Sequence, residues 1–112
     1  MIDYGVLSDF EINKKVAIIA IDYDEDMSPF IPMNGTISVQ YGDGASWHHY
    51  DPCNNPSDAW PVIFENKIAI SPATSSDKWA ANYCNWDIAI TDANPLRAAM
   101  IVFLMMKDAE KL

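Results

Sequence analysis

The sequence has few positive charges and only one arginine. Seven Lys and Arg residues stand against sixteen Asp and Glu residues, which gives a formal net charge of −9 at pH 7. Phosphate binding along a nucleic acid needs clusters of Lys and Arg, so this balance argues against binding to DNA or RNA polymers. An acidic surface keeps a protein in solution and also suits a basic protein partner.

Long apolar runs and a cysteine framework are also missing. No stretch reaches the ~18–20 consecutive apolar residues of a membrane span. The first four residues lack the basic and then apolar pattern of a secretory signal. Cys53 and Cys84 are too few for a disulfide framework, and we interpret them as reduced thiols. We therefore expect an intracellular protein that does not bind membranes.

The 112 residues, half of them hydrophobic, predict a single domain over residues 1–112. Ser8 and Glu11 form a capping box, which predicts the start of a helix. Residues 16–21 could also form a buried strand, but we favour a helix as far as about Ala20 because its start signal is strong. Ser57 is predicted to cap a second helix, which ends at Asn66.

The third predicted helix begins at Asn94-Pro95, a typical helix start. Residues 98–106 are then apolar on every side, which a surface helix would not tolerate. Two explanations stay open, namely burial in the core of one chain or an apolar seam between two copies in a homodimer. The residues concerned are Met100, Phe103, Leu104, Met105 and Met106.

Strand signals occupy the centre of the chain. Asn34-Gly35 is a strong hairpin signal, and residues 36–41 behind it alternate as a half-buried strand does. Residues 46–50 continue this sheet, and residues 68–70 and 78–83 are predicted as further strands, whereas residues 86–90 are ambiguous. We expect an α+β fold with an antiparallel or mixed sheet of about four strands, flanked by three helices.

Three segments carry a resemblance to a known family: residues 7–13 (LSDFEIN), 54–61 (NNPSDAWP) and 94–99 (NPLRAA). In this order they resemble the NinX-like family of small proteins from lambdoid phages and prophages. The resemblance implies a phage protein in the host cytoplasm and assigns no biochemical activity. The layout is also similar, more loosely, to the phage α-β-α sandwich domain, which implies a sandwich-like arrangement. Residues 22–50 depart from the family pattern, and a specialised function would reside there.

Arg97 is the first candidate for a binding residue. It lies one turn inside a helix start, where its donor fork and the backbone N–H groups behind Asn94 suit a phosphate or carboxylate. Alternatively, Arg97 pairs with Asp92, Asp87 or another carboxylate and fixes the helix to its neighbours. Asp58 would repel an anion at the start of the second helix, so the helix start at Asn94 is the better anion site.

Aromatic and histidine residues supply the other candidates. Trp47, Tyr50 and Trp86 are possible stacking faces or anchor residues, and His49 lies among them. Trp60 and Trp79 are interpreted as core residues because of their places in a helix and a strand.

We expect no metal site, cofactor or catalytic site. His48 and His49 are adjacent on a predicted strand and would point to opposite faces, so one metal ion would not reach both. Cys53 and Cys84 with these histidines match no catalytic motif.

Two functions are compatible with these residues. The first is a non-catalytic phage accessory protein that binds and modulates a host component, with counter-defence as one form of this role. The second is a small-molecule sponge that sequesters a nucleotide-derived immune signal of the host, where Arg97 or a lysine meets Trp or Tyr. The expected partner is accordingly a host protein or a nucleotide-like small molecule.

Overall fold

The computed structural model describes residues 3–21, 39–42, 47–74, 77–84 and 86–110. The predicted hairpin turn at Asn34-Gly35 lies outside these residues. The elements are a short 3-10 helix (Tyr4–Val6), α1 (Asp9–Ala20), β1 (Val39–Gly42), β2 (Trp47–Tyr50), α2 (Pro56–Asn66), β3 (Ala69–Pro72), β4 (Trp79–Tyr83), β5 (Ile88–Asp92) and α3 (Pro95–Glu110). The predicted α+β class is confirmed.

Helix α1 begins where its capping box predicted. The Ser8 side chain accepts a hydrogen bond from the backbone N–H of Glu11 at 3.1 Å. Asp9 and Glu11 place negative charge in the first turn, which complements the helix dipole. The helix ends at Ala20, as expected. Its buried side consists of Ile12, Asn13, Val16 and Ala17.

Helix α2 begins two residues earlier than predicted. Asn55 is the cap, because its side chain accepts from the backbone N–H of Ser57 at 3.0 Å and Pro56 occupies the first helical position. The assignment of Ser57 as the cap was therefore wrong. An Asn-Pro pair is the better start signal. The backbone N–H at the first helical position has no hydrogen-bond acceptor within the helix, and proline has no N–H to leave unpaired. The predicted end at Asn66 is confirmed, and Lys67 follows in the left-handed conformation with φ of 56°.

The described strands form two antiparallel sheets, not one sheet of four. Strands β1 and β2 pair with each other, and β3, β4 and β5 form a three-stranded sheet in that order. Of the ambiguous residues 86–90, residues 88–90 belong to β5 and the two before them lie in the preceding turn. Ile70, Ala81 and Ile90 face one another across the three strands and pack against the core.

Helix α3 is the centre of the core. It contacts all three strands of the larger sheet and both other helices, so it lies between the sheet on one side and α1 and α2 on the other. Residues 98–102 are completely buried as a result. This explains the apolar run on every side of the helix. Of the two explanations considered, burial within one chain is the one that the structure shows.

Candidate functional site

Arg97 is held by four hydrogen bonds to three parts of the chain. Its Nη1 donates to Asp9 Oδ1 at 2.7 Å, and its Nε donates to Asp92 Oδ2 at 3.1 Å. Its Nη2 donates to the backbone carbonyls of Gly5 at 3.2 Å and Leu7 at 2.8 Å. The internal ion pair, which was one of the two alternatives for Arg97, is therefore present, with Asp92 as an expected partner and Asp9 as a new one.

The electrostatics of Arg97 follow from this geometry. Only 12% of its side chain is exposed. Burial alone would lower its pKa, but hydrogen bonds and charge from Asp9 and Asp92 outweigh this effect and raise the pKa above its ordinary value. An anionic ligand at this position would have to replace bonds that the arginine already makes.

Asn94 uses both ends of its amide. Its Oδ1 accepts from the backbone N–H groups of Leu96 at 2.9 Å and Arg97 at 3.3 Å, which caps α3. Its Nδ2 donates to the carbonyl of Cys53 at 2.7 Å and to Oδ1 of Asn54 at 3.1 Å. Asn94 therefore ties the start of α3 to the loop before α2.

Asn13 makes the corresponding connection from α1. Although it is completely buried, its Nδ2 donates to Asp51 Oδ1 at 2.7 Å and its Oδ1 accepts from the backbone N–H of Cys53 at 3.0 Å. The side chain of Asn54 donates to Asp9 at 3.1 Å. These bonds anchor the loop before α2 on α1.

The result is a continuous set of polar contacts between the starts of α1, α2 and α3, which we call the polar junction. It joins the three segments on which the family resemblance rests. Of this set, the sequence identified Arg97 and Asn94 as candidate site residues and Asp92 as a candidate partner of Arg97. Asn13 carried one usable signal, because an amide next to Ile12 on the apolar side of a helix must find polar partners inside the protein. The junction consists of Asp9, Asn13, Asp51, Cys53, Asn54, Asp92, Asn94 and Arg97.

A further contact ties the N-terminal segment to the other end of α3. The Tyr4 hydroxyl donates to the carboxylate of Asp108. Asp108 follows Arg97 by eleven residues, or about three helical turns, so both lie on the same side of α3. The N-terminal segment is therefore attached to α3 at both Arg97 and Asp108.

The remaining predicted site residues lie in different environments. Tyr50 is buried, His49 is exposed, and Trp86 is 57% exposed in the turn between β4 and β5. Trp47 lies in β2, and its side chain is outside the described part of the structure.

Two aromatic side chains on α2 are exposed instead of buried. Trp60 is 61% exposed and Phe64 is 70% exposed, and their ring centroids are 6.0 Å apart with planes tilted by 40°. The interpretation of Trp60 as a core residue was wrong, because α2 turns Ala59, Val62 and Ile63 towards the core. The interpretation of Trp79 as a core residue was also wrong, because Trp79 is 37% exposed in β4. We call Trp60 and Phe64 the aromatic surface.

A cleft of about 400 Å³ lies beside the aromatic surface, between the end of α1 and the exposed side of α2. We call it the α1–α2 cleft. Its apolar lining includes Ile19, Ile21, Tyr50, Val62 and Phe103.

The charged groups of the α1–α2 cleft are mainly acidic. Asp58 and Glu65 line it, and Lys107 is the cation among its lining residues. Nζ of Lys107 lies 3.5 Å from Glu110 and 5.5 Å from the centre of the Phe103 ring. The positive charge therefore already has partners within the protein.

The cysteines have different environments. Cys53 is completely buried, and the pKa of its thiol is raised strongly, first by this burial and then by the nearby Asp9 carboxylate. Cys84 is exposed in the turn after β4. Within the described ranges, no three His, Cys, Asp or Glu side chains are grouped to hold a metal ion. None of the described helices is long and apolar enough to span a membrane.

Fold and site define a small α+β protein that is built around a buried final helix, with a polar junction at its helix starts. The chain belongs to the phage family described as Bacteriophage P22, NinX, whose model matches residues 3–107. The match confirms the predicted family and includes every residue of the polar junction and the aromatic surface. No curated protein and no solved structure matches the chain.

Proposed function

We propose that this chain is a non-catalytic phage accessory protein that binds and modulates a host protein in the host cytoplasm. The observation that supports this proposal is the exposure of Trp60 and Phe64 on adjacent turns of α2. Large aromatic side chains at the surface are typical of protein-binding sites, and tryptophan is among the residues that contribute most to binding energy there.

The surroundings of the aromatic surface indicate the charge of the partner. Asp58 and Glu65 are the two charged residues within α2, and the whole chain carries a net charge of −9. A partner surface with apolar and basic residues would complement this combination. Inhibition of a host defence protein is one form that such binding would take.

The buried environment of Cys53 is consistent with a non-catalytic role. A thiol acts as a nucleophile in its thiolate form, and burial together with the Asp9 carboxylate disfavours that form at Cys53. The backbone N–H of Cys53 donates to Asn13, which gives this residue a structural role in the polar junction.

Sequestration of a small molecule is the second candidate function. The α1–α2 cleft favours it, because its volume lies within the range of ligand pockets and because Lys107 and Tyr50 both line it. Its charge favours it less, since an anionic nucleotide would meet Asp58 and Glu65 there. Calorimetry with cyclic nucleotides and ADP-ribose derivatives tests this candidate, and absence of heat would eliminate it.

Affinity capture from host lysate tests the proposed function. The baits are the unchanged chain, the double variant Trp60→Ser/Phe64→Ser, and the control Val6→Ser, which removes an apolar side chain that is 79% exposed on the 3-10 helix. We expect a host protein that the unchanged chain and the control retain and the double variant loses. Equal retention by all three baits would contradict binding through the aromatic surface, provided that circular dichroism shows the same fold for each.

A further inference from the structure

We infer that the α1–α2 cleft receives a lysine or arginine side chain of the host partner, so that the docking segment of the partner is basic as well as apolar. This inference rests on the proposed function, because it assigns the chemistry of one part of the same binding face. It identifies the group that the cleft selects, which the aromatic surface alone does not.

The cleft and the aromatic surface are adjacent on α2. Pro61 lines the cleft, and it precedes Phe64 by three residues, so the two side chains are neighbours on the helix surface. Ser57 has the same relation to Trp60. A segment that packs on Trp60 and Phe64 therefore has the cleft within reach of its next side chains.

Hydrogen-bond acceptors outnumber donors on the α2 side of the cleft. Pro61 has no N–H, so it cannot satisfy the Ser57 carbonyl four residues before it. Asp58 accepts the backbone N–H of Asp51 through Oδ2, at 2.9 Å, which leaves Oδ1 for a further donor. Glu65 adds a second carboxylate at the exposed edge. Such a lining favours a group that carries several N–H donors and a positive charge.

The apolar walls suit the rest of such a side chain. Lysine and arginine bury their methylene stems against apolar surface while the charged end contacts polar groups. Ile19, Ile21 and Val62 provide that surface, and a volume of about 400 Å³ accommodates one long side chain. Lys107 would repel the partner's cation only weakly, because Glu110 already pairs with Lys107. An added anion would instead be repelled by the carboxylates of the cleft.

A titration of the full chain with two matched peptides tests the inference. Both are amphipathic helical peptides with leucine and alanine on one face and glutamine on the other. They differ at one central position, which holds arginine in the first peptide and citrulline in the second. Citrulline keeps the shape of arginine but carries no charge. We expect the arginine peptide to shift the backbone amide signals of Ile21, Tyr50 and Val62 and to bind roughly tenfold more tightly, since a hydrogen bond to a charged group is replaced by a neutral one.

Two variants separate a local effect from general electrostatics. Glu65→Gln and Asp77→Asn each remove one exposed negative charge, but only Glu65 lines the cleft. We expect Glu65→Gln to weaken binding of the arginine peptide severalfold and to leave the citrulline peptide unchanged, whereas Asp77→Asn changes neither appreciably. Equal binding of both peptides, or shifts that map outside the cleft, would overturn the inference.

The same variants distinguish this failure from failure of the proposed function. If Trp60→Ser/Phe64→Ser loses the host protein in affinity capture and Glu65→Gln retains it fully, the binding face stands and the cation site is refuted. If neither variant loses a host protein, both proposals fall. Loss with both variants, together with the peptide preference, supports both.

Discussion

Arg97 and Asp9 are 88 residues apart in the sequence, yet Nη1 of the arginine lies 2.7 Å from Oδ1 of the aspartate. A positive charge in the first turn of a helix is opposed by the helix dipole, so Arg97 is unfavourable at the start of α3 when that helix is considered alone. The carboxylates of Asp9 and Asp92 offset this effect, and Asp9 in turn lies favourably at the start of α1. The pair therefore joins two helix starts that each stabilise the other.

We expect Arg97→Ala to destabilise the protein by about 3 kcal/mol, because it leaves two partly buried carboxylates without their cation. Arg97→Lys should cost roughly half as much stability. Lysine keeps the charge but cannot donate to Asp9, Asp92 and two carbonyls at once. Urea unfolding followed by tryptophan fluorescence measures both changes.

The control for the arginine variants is a lysine on the surface of the same helix. Lys107→Ala removes a cation that pairs with Glu110 on the surface, and we expect a loss below ~1 kcal/mol. If Arg97→Ala costs no more than this control, the contacts of Arg97 do not hold the helix starts together. A selective loss of host-protein capture at full stability would instead show that Arg97 is a ligand contact.

Asn13 should be equally sensitive to substitution. Asn13→Leu keeps the number and branching of the side-chain heavy atoms but leaves the backbone N–H of Cys53 and the carboxylate of Asp51 without their buried partner. We expect a loss of about 3 kcal/mol, which is the usual result of leaving buried polar groups unsatisfied. Thermal and urea unfolding at pH 7 measure the loss.

The variant Asn13→Asp provides a pH-dependent control. The new carboxylate retains the acceptor for Cys53 but faces Asp51 in a buried position, so its ionisation is disfavoured in the folded state. The folded variant then binds more protons than the unfolded chain, and its stability relative to the unchanged protein should fall as pH rises from about 4 to 7. A constant difference across this range would contradict the proximity of Asn13 and Asp51.

Local signals made the helices predictable from the sequence. Ser8 with Glu11, and Asn94 with Pro95, act within one turn of their own helix, so neighbouring residues suffice to recognise them. The same reasoning failed at Asn55 only because Ser57 is also a good cap. The family resemblance could be read as well, since it rests on three short segments.

Long-range contacts explain what the sequence did not reveal. Asp92 was identifiable as a partner of Arg97 because it precedes it by five residues, whereas nothing in the sequence relates Arg97 to Asp9. The exposure of Trp60 depends on which side of α2 faces α3. The buried side of α2 includes Ala59 and Val62 and is too narrow to include Trp60 as well. The division of the strands into two sheets likewise depends on pairing between distant segments.

Tyr4 makes the stability of the protein depend on pH in the alkaline range. Burial, followed by the hydrogen bond and the charge of Asp108, raises the pKa of Tyr4 from 10.0 to about 12. Between these values the unfolded chain has released the phenol proton and the folded protein keeps it. Stability from this group is therefore complete below pH 10 and falls as pH rises towards about 12.

The variant Tyr4→Phe isolates this contribution. It removes the hydroxyl that donates to Asp108, so we expect a loss of ~1 kcal/mol at pH 7. Between pH 10 and 12, its urea midpoint should decline less steeply than that of the unchanged protein. Parallel declines for the two proteins would show that the Tyr4 hydroxyl is not buried against Asp108.

The two cysteines should differ sharply in reactivity. Cys53 is completely buried, and burial with the Asp9 carboxylate raises its thiol pKa, whereas Cys84 is exposed. With Ellman's reagent at pH 8 we expect one thiol per native chain to react quickly and the second to react only in urea. Cys84→Ser should abolish the fast reaction.

In that variant the slow reaction of Cys53 should accelerate when Asn13→Leu weakens the polar junction, because modification then requires only local opening of the loop before α2. Two fast thiols in the native protein would contradict the packing of Cys53 between α1 and α3.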